Sequence, residues 1–278
     1  MKKRTLLIAL IAIALSSCEV IGEDERYIPV PVPPASTSRT HVLLEYTGFR
    51  CVNCPKAART AQGLREAYGE QLLVVALHPA ANPFTQGLYD YTCPAADSCY
   101  LWMGGDASTP FPTGNIDILR TDNGYFLDPS EWAGQLAQVL PDTVAPHVQT
   151  QALYDAGTRQ IELTAYVYAD STTVCRLAFW LTEDSISGAQ AMPDGSVSTT
   201  YLHQHVLRTT AGPSPWGEDI RIDRTLSTRL AAIQLPEACN PAQCHVISLL
   251  LDKNDNHILN AYETKLSADS HAAMADER

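Results

Sequence analysis

The chain has 278 residues, enough for about two domains of roughly 100 to 200 residues each. Its 19 Lys and Arg stand against 31 Asp and Glu, and the formal charge of -12 excludes nucleic acid as a partner, because phosphate binding depends on basic side chains. A hydrophobic fraction of 45% and a charged fraction of 18% fit a globular chain and not a disordered one. The 8 cysteines are the most informative count, since the state of a thiol depends on its redox compartment.

The N-terminus predicts an exported and anchored protein. Basic residues 2–4 precede an apolar run over residues 6–15, which is too short to span a bilayer and is typical of a signal peptide, here residues 1–17. The run ends in Leu-Ser-Ser-Cys, which resembles the lipobox of bacterial lipoproteins. This resemblance implies that Cys18 becomes the N-terminus and carries acyl chains such as palmitate, so that the membrane is a partner. The alternative is an ordinary signal peptide with a chance Cys.

Residues 18–39 read as a tether between the anchor and the folded body. Acidic residues come first, followed by a stretch rich in Pro, Ser and Thr, a composition that favours an extended chain. Removal of the signal peptide leaves 16 basic and 31 acidic residues, so the mature charge is -15. The tether leaves open whether the protein faces the periplasm or the cell surface.

A strand, a CxxC motif and a helix follow the tether. The apolar run from His41 to Tyr46 predicts a buried strand that contains one carboxylate, Glu45. The motif Cys51-Val52-Asn53-Cys54 comes next, and apolar residues at helical spacing then continue to residue 68. A second apolar strand over residues 71–78 completes a β-α-β unit with parallel strands.

A CxxC at a helix N-terminus favours thiol chemistry at its first Cys. Helix N–H groups stabilise a thiolate, and the positive charge of Arg50 acts in the same direction, so the pKa of Cys51 should fall below the usual value of about 8.5. Cys51 would then attack disulfides and Cys54 would resolve the mixed disulfide. Two alternatives remain, a static disulfide and half of a metal site. Because zinc needs further Cys or His ligands at compatible spacing, we predict no metal.

The segment over residues 40–141 resembles the thioredoxin superfamily. Glu45 stands six residues before Cys51, where thioredoxins place a buried acid that relays a proton to the resolving thiol. The resemblance also implies that Pro112, in Phe-Pro-Thr, is a cis-proline that shapes a peptide groove. Beyond it we expect a hairpin over residues 115–126 and a closing helix over residues 128–140. The usual Trp before the first Cys is Arg50 here, so family redox potentials do not carry over.

The spacing of the other cysteines predicts disulfides that close short loops. Cys93 and Cys99 lie in an insertion over residues 79–108, and in an oxidising compartment they are expected to form a structural disulfide, or alternatively a second exchange pair. A second structural disulfide is expected between Cys239 and Cys244. Cys175 is left over, and its place in an alternating strand predicts a buried, unreactive thiol.

Residues 146–267 predict an all-β domain. Apolar and polar residues alternate over residues 161–167 and 177–181, and further strands are expected at 201–208, 220–225, 245–251 and 258–266. Short strands without intervening helices indicate an immunoglobulin-like sandwich. Residues 252–263 resemble an EF-hand loop, but His257 replaces the required Gly, so a hairpin turn is expected. His203 and His205 would share one strand face, and residues 268–278 would form a disordered tail.

Several short sequence segments resemble segments of the Omp28-related outer-membrane lipoproteins. They are Glu-Tyr-Thr-Gly at residues 45–48, the CxxC segment, Leu-Thr-Glu-Asp at 181–184, His-Gln-His-Val-Leu-Arg at 203–208 and Ile-Leu-Asn-Ala at 258–261. This resemblance implies a thioredoxin-like α/β domain followed by a β-sandwich domain in an outer-membrane lipoprotein, and it does not supply a mechanism.

Two functions are compatible with these observations. In the first, the protein is a thiol-disulfide oxidoreductase whose partners are extracytoplasmic protein thiols or disulfides, with no cofactor. In the second, it is a binding scaffold whose Cys51–Cys54 disulfide is inert.

Overall fold

A computed structural model describes residues 39–87, 89–141 and 146–268, and all of these belong to one compact unit. The signal peptide, Cys18, nearly the whole tether and nearly the whole C-terminal tail predicted from the sequence lie outside the described residues.

The N-terminal region mixes helices and strands, as predicted. Its elements in chain order are β1 (His41–Tyr46), α1 (Cys54–Tyr68), β2 (Leu72–Leu77), α2 (Pro94–Trp102), β3 (Thr113–Ile116) and α3 (Trp132–Val139). Both β1 and β2 are buried along their whole length, which explains their continuous apolar sequence. Helix α1 has Pro55 in its first turn and ends at Gly69, whose φ of 56° is the left-handed conformation that favours glycine.

The three strands of this region form one sheet. β1 and β2 are parallel, with Glu45 opposite Ala76, so the predicted β-α-β unit is confirmed. β3 is antiparallel to β1 and places Thr113 opposite Tyr46. Helices α1 and α3 pack on one face around the fully buried Trp132, and α2 packs on the other face.

The C-terminal part is rich in β-strands. They are β4 (His147–Asp155), β5 (Gln160–Tyr168), β6 (Thr173–Glu183), β7 (Ile186–Ala191), β8 (Val197–His203), β9 (Val206–Thr210), β10 (Glu218–Ile222), β11 (Ser227–Gln234), β12 (Cys244–Asp252), β13 (Ile258–Lys265) and β14 (Ser267–Ala268). β4, β5, β11 and β14 form one sheet, and its apolar face packs against β6, β10 and β12.

One sheet runs through both parts of the chain. Its order is β13-β12-β6-β9-β2-β1-β3, with β10 also paired to β6. The junction is the pairing of Ala76 in β2 with Val206 in β9, supported by a hydrogen bond of 2.8 Å from the Ala76 amide to the His205 carbonyl. Residues of the β-rich part therefore lie beside the CxxC segment.

Two sequence predictions need correction here. The strand expected at residues 201–208 is two strands, because the chain turns at His205, whose φ is 55°. The regular hairpin expected at residues 115–126 is not formed. Only β3 is a strand there, and two isolated β-bridges join Gly114 to Leu127 and Thr121 to Gly124. The turn expected between β12 and β13 is present: the Asp252 amide donates to the His257 carbonyl at 2.8 Å.

Candidate dithiol site

The CxxC motif forms a buried disulfide. Cys51 and Cys54 are bonded, with their Cα atoms 5.4 Å apart, and they are 2% and 1% exposed. Cys54 is the first residue of α1, and Cys51 lies two residues before the N-cap residue Asn53. The Cys51 amide donates to the carbonyl of Gly48 at 3.0 Å, which fixes the loop that leads into the helix.

Gln190 in β7 holds this loop from the β-rich part. Its Nε2 donates to the carbonyl oxygen of Cys51 at 2.9 Å and to that of Ala191 at 3.0 Å, and its side chain is buried. The Ala191 amide donates to the Phe49 carbonyl at 2.7 Å, so the β7–β8 hairpin lies directly on the motif. Gln190 is not predicted from the sequence, because no local pattern marks it.

Glu45 is buried behind the disulfide. It is 3% exposed, and its Oε1 has no hydrogen-bond partner among the described residues. Burial disfavours the charged form and raises the pKa of Glu45 from 4.5 to about 8. At neutral pH this carboxyl group is therefore mostly protonated and able to give up a proton.

A cavity of about 440 Å³ is lined by both Glu45 and Cys54. Its wall comes from both parts of the chain and includes Glu45, Cys54, His78, Gln190, Tyr201 and His203. His78 is 1% exposed, and neither of its ring nitrogens has a partner among the described residues. Burial lowers the pKa of His78 from 6.5 to about 3, so the imidazole is neutral. His78 is likewise not predicted from the sequence.

The predicted proline, Pro112, lines a groove together with Asn53 of the motif. The Phe111–Pro112 peptide bond is cis, and Pro112 comes directly before β3. A groove of about 760 Å³ runs between this segment and the start of α1, where Asn53 and Lys56 contribute to its wall. Arg50 is exposed, and its Nη1 donates to the carbonyl of Gln86 at 3.4 Å.

Neither predicted structural disulfide is formed in the structure. Cys93 and Cys99 are free because Cys93 is the N-cap of α2, and six residues along a helix rise by about 9 Å, beyond the Cα separation of about 7 Å that a disulfide tolerates. Cys239 and Cys244 are also free, although their sulfur atoms lie within 4.8 Å of each other. Cys175 is fully buried, and burial raises its pKa to about 12, in keeping with an unreactive thiol.

Cys239 and Cys244 lie in a buried polar cluster with Glu183 and Arg208. Arg208 Nε lies 3.4 Å from Cys239 Sγ and 3.3 Å from Glu183 Oε2. A hydrogen bond from Cys244 is the main cause that lowers the pKa of Cys239, and the guanidinium of Arg208 adds to it. The ligand atoms could hold a metal ion, but Arg208 already supplies a positive charge at this place.

Asp252, Asp255 and His257 form the second group that could hold an ion among the described residues. Their carboxylates are engaged within the turn: Asp252 Oδ1 accepts from the Asn254 amide at 2.7 Å, and Asp255 Oδ1 lies 2.7 Å from His257 Nδ1. We assign no metal to either group.

The fold and the site define a chain in which an α/β region with a CxxC disulfide shares one sheet with a β-rich part. The structure is similar to that of HBP35 of Porphyromonas gingivalis, with a TM-score of 0.65 and 16% identity over 82% of this chain and 76% of that chain. A domain of the outer membrane lipoprotein Omp28 from Porphyromonas gingivalis matches with a TM-score of 0.34 and 15% identity over 46% of this chain and 92% of that chain. No curated protein sequence matches significantly.

The family profile described as Outer membrane protein Omp28 matches residues 107–270, and the chain belongs to this family. Both the family and the outer-membrane localisation predicted from the sequence are thereby confirmed. Within the described ranges, no helix is long and apolar enough to cross a membrane.

Proposed function

We propose that this outer-membrane protein carries out thiol-disulfide exchange on extracytoplasmic proteins. The observation that carries the proposal is the placement of a buried, protonated Glu45 in the same cavity as Cys54, behind a disulfide at a helix N-terminus. A thioredoxin-like function needs these three parts together: an attacking sulfur, a resolving sulfur and a proton source for the resolving sulfur.

The exchange reaction assigns a different role to each cysteine. A substrate thiolate attacks Cys51 Sγ, the S–S bond breaks, and its electron pair leaves with Cys54 Sγ. In the reverse direction, Cys54 attacks the mixed disulfide at Cys51 and releases the substrate thiol. In the forward direction, a second thiolate attacks the substrate sulfur bonded to Cys51, and the Cys51 thiolate leaves with the electron pair of the broken S–S bond. Helix N–H groups of α1 and the charge of Arg50 stabilise this thiolate.

Glu45 supports the role of Cys54. A thiolate at a site that is 1% exposed is unfavourable because it lacks hydration. A proton from Glu45 converts it to the neutral thiol as the S–S bond breaks, which is general acid catalysis.

The groove beside Pro112 is the proposed binding place for the substrate peptide. It contains apolar surface from Phe111 and Phe126 and a positive charge from Lys56. These features suit an extended peptide with apolar side chains around its cysteine.

Insulin reduction tests the proposal. The mature chain should reduce insulin with dithiothreitol faster than dithiothreitol alone, and Cys51→Ser should abolish the gain. Cys175→Ser is the matched control, because that thiol is buried away from the motif. Equal activity of the wild type and Cys51→Ser would overturn the enzymatic proposal.

An inert scaffold is the second candidate function, and the burial of Cys51 supports it. At 2% exposure, Cys51 Sγ is reached by a protein substrate only if the loop or the β7–β8 hairpin moves. In that case the disulfide stabilises the loop, and the β-rich part binds a partner. A partner that is retained equally by the wild type and Cys51→Ser would favour this function.

We further propose lipid anchoring through acylated Cys18, a thioredoxin-like region over residues 40–141 and an immunoglobulin-like sandwich over residues 146–267. Two packed sheets and the strand-helix-strand order support the two fold assignments. The lipobox-like segment supports the anchor.

A further inference from the structure

The cavity behind Cys54 contains polar atoms that its protein wall leaves unpartnered. They are Oε1 of Glu45 and both ring nitrogens of His78. Buried polar atoms in folded proteins are nearly always hydrogen-bonded, either to protein or to ordered water. A space of about 440 Å³ with several polar groups in its wall has room for water that can form hydrogen bonds with these atoms.

The strand register places the two unpartnered groups on the same face of the sheet. Glu45 pairs with Ala76, and His78 follows Ala76 by two residues, so the side chains of all three point to the α1 side. Glu45 therefore lines the same cavity as Cys54 and the imidazole of His78.

His203 extends this polar wall toward the surface. Its ring centroid lies 5.9 Å from that of His78 and 4.9 Å from that of Tyr201. Its Nε2 lies 3.1 Å from the carbonyl of Ala189 and must donate to it, which leaves Nδ1 as a proton acceptor. The exposed Gln204 follows at the cavity mouth.

We propose that His78, His203 and cavity water form a proton path between Glu45 and solvent. The path rests on the proposed function, because it serves the proton that Glu45 gives to Cys54. Glu45 is 3% exposed and needs such a route to regain a proton between turnovers.

The transfers balance within one reduction cycle. When a thiolate breaks the disulfide, Glu45 gives its proton to Cys54 Sγ and becomes a carboxylate. A ring N–H of His78 then returns a proton to Glu45 through water, while the other nitrogen of His78 takes one from cavity water that His203 Nδ1 orients by accepting a hydrogen bond. One proton enters from solvent for each thiol formed at Cys54. A second thiolate of the reductant then attacks the reductant sulfur bonded to Cys51, and Cys51 leaves as a thiolate.

Burial suits both histidines to this task. It lowers the pKa of His78 to about 3 and also lowers the pKa of His203, so both rings are neutral at pH 7. The neutral imidazole of His78, whose ring nitrogens have no partner among the described residues, accepts a proton at one nitrogen and donates from the other without retaining a charge. In His203 the Nε2 proton is donated to Ala189, and Nδ1 accepts a hydrogen bond from cavity water. Both residues act through Glu45, and neither contacts the disulfide as a reacting group.

Infrared spectroscopy measures the path without any turnover. The protein is the full mature chain from residue 18 with Cys18→Ser, and the C=O band of the protonated Glu45 is identified by its loss in Glu45→Gln. The exchange of that carboxyl proton for deuterium is followed after mixing with deuterated water. His78→Ala and His203→Ala should each slow this exchange at least about tenfold, given that a positioned proton-transfer group typically contributes about 10² or more.

Imidazole and a control histidine separate proton transfer from packing. Free imidazole fits the enlarged cavity and should restore the exchange rate in both variants. The ring of His147 stacks on Tyr168, and neither residue lines the cavity. In His147→Ala the Glu45 proton should therefore exchange at the wild-type rate. Exchange within about twofold of the wild type in both cavity variants would overturn the proposal, as would slow exchange that imidazole does not restore.

The outcome is independent of the exchange activity. Slow, imidazole-restored proton exchange together with inactivity in the insulin assay would leave the proton path standing and reject the proposed function. Normal proton exchange together with Cys51-dependent activity would do the reverse.

Discussion

Glu45→Gln should remove a large pH dependence from the stability of the protein. In the folded chain Glu45 keeps its proton up to a pKa of about 8, whereas in the unfolded chain it ionises near 4.5. Between these pH values the folded state binds more protons, so the stability of the wild type falls as pH rises. Gln has the same shape and does not titrate.

The size of the effect follows from the two pKa values. Each pKa unit corresponds to about 1.4 kcal/mol, so complete ionisation of Glu45 costs the folded state about 5 kcal/mol. Between pH 5 and pH 8 the wild type should lose about 3 to 4 kcal/mol relative to Glu45→Gln.

Urea denaturation of both proteins, with the Cys51–Cys54 disulfide intact, measures this difference at a series of pH values. The contributions of all other titratable groups to the free energy of unfolding largely cancel when the two proteins are compared. Parallel stability curves from pH 5 to pH 8 would show that Glu45 ionises normally in the folded state, and that its role as a proton donor at neutral pH is wrong.

His78→Asn should show the opposite trend: because the unfolded chain takes up a proton below pH 6.5 and the folded chain only near 3, the wild type should lose stability relative to the variant on acidification from pH 7 to pH 5 in the same urea assay. Gln190→Ala should lower the free energy of unfolding by about 1 to 3 kcal/mol, because it removes a buried hydrogen bond to the motif, and the exposed Gln62→Ala should change it by less than about 0.5 kcal/mol. Cys18→Ser should move the protein from the membrane to the soluble fraction and abolish labelling with palmitate, and a variant that stays in the membrane would contradict acylation. Cys175 should resist alkylation in the native protein and react only after unfolding, as mass spectrometry would show.

The elements around the motif were predictable because their signals are local. A continuous apolar run marks β1, Pro55 and Gly69 mark the two ends of α1, and the Phe-Pro-Thr segment points to the cis-proline. Each of these signals lies within a few residues of the feature that it predicts.

The rest of the site depends on contacts between distant residues. Gln190 is 139 residues from Cys51, and the pairing of β2 with β9 brings His203 to the cavity beside His78. Neither hydropathy periodicity nor residue spacing contains that information.

The predicted loop disulfides show a related limit of cysteine counting. Spacing alone did not reveal that a helix starts directly after Cys93 and carries Cys99 away from it. It likewise did not reveal that Arg208 lies against Cys239.

The reduction potential of the Cys51–Cys54 disulfide, measured together with the thiolate pKa of Cys51, tests the proposed exchange most directly. Equilibration with glutathione followed by alkylation and mass spectrometry gives the potential, and the pH dependence of alkylation gives the pKa. For an exchange-active site we predict a thiolate pKa below about 7.5 and a potential above about -300 mV, within reach of extracytoplasmic thiols. A pKa near about 8.5 with a potential well below about -300 mV would identify an inert disulfide and contradict the account.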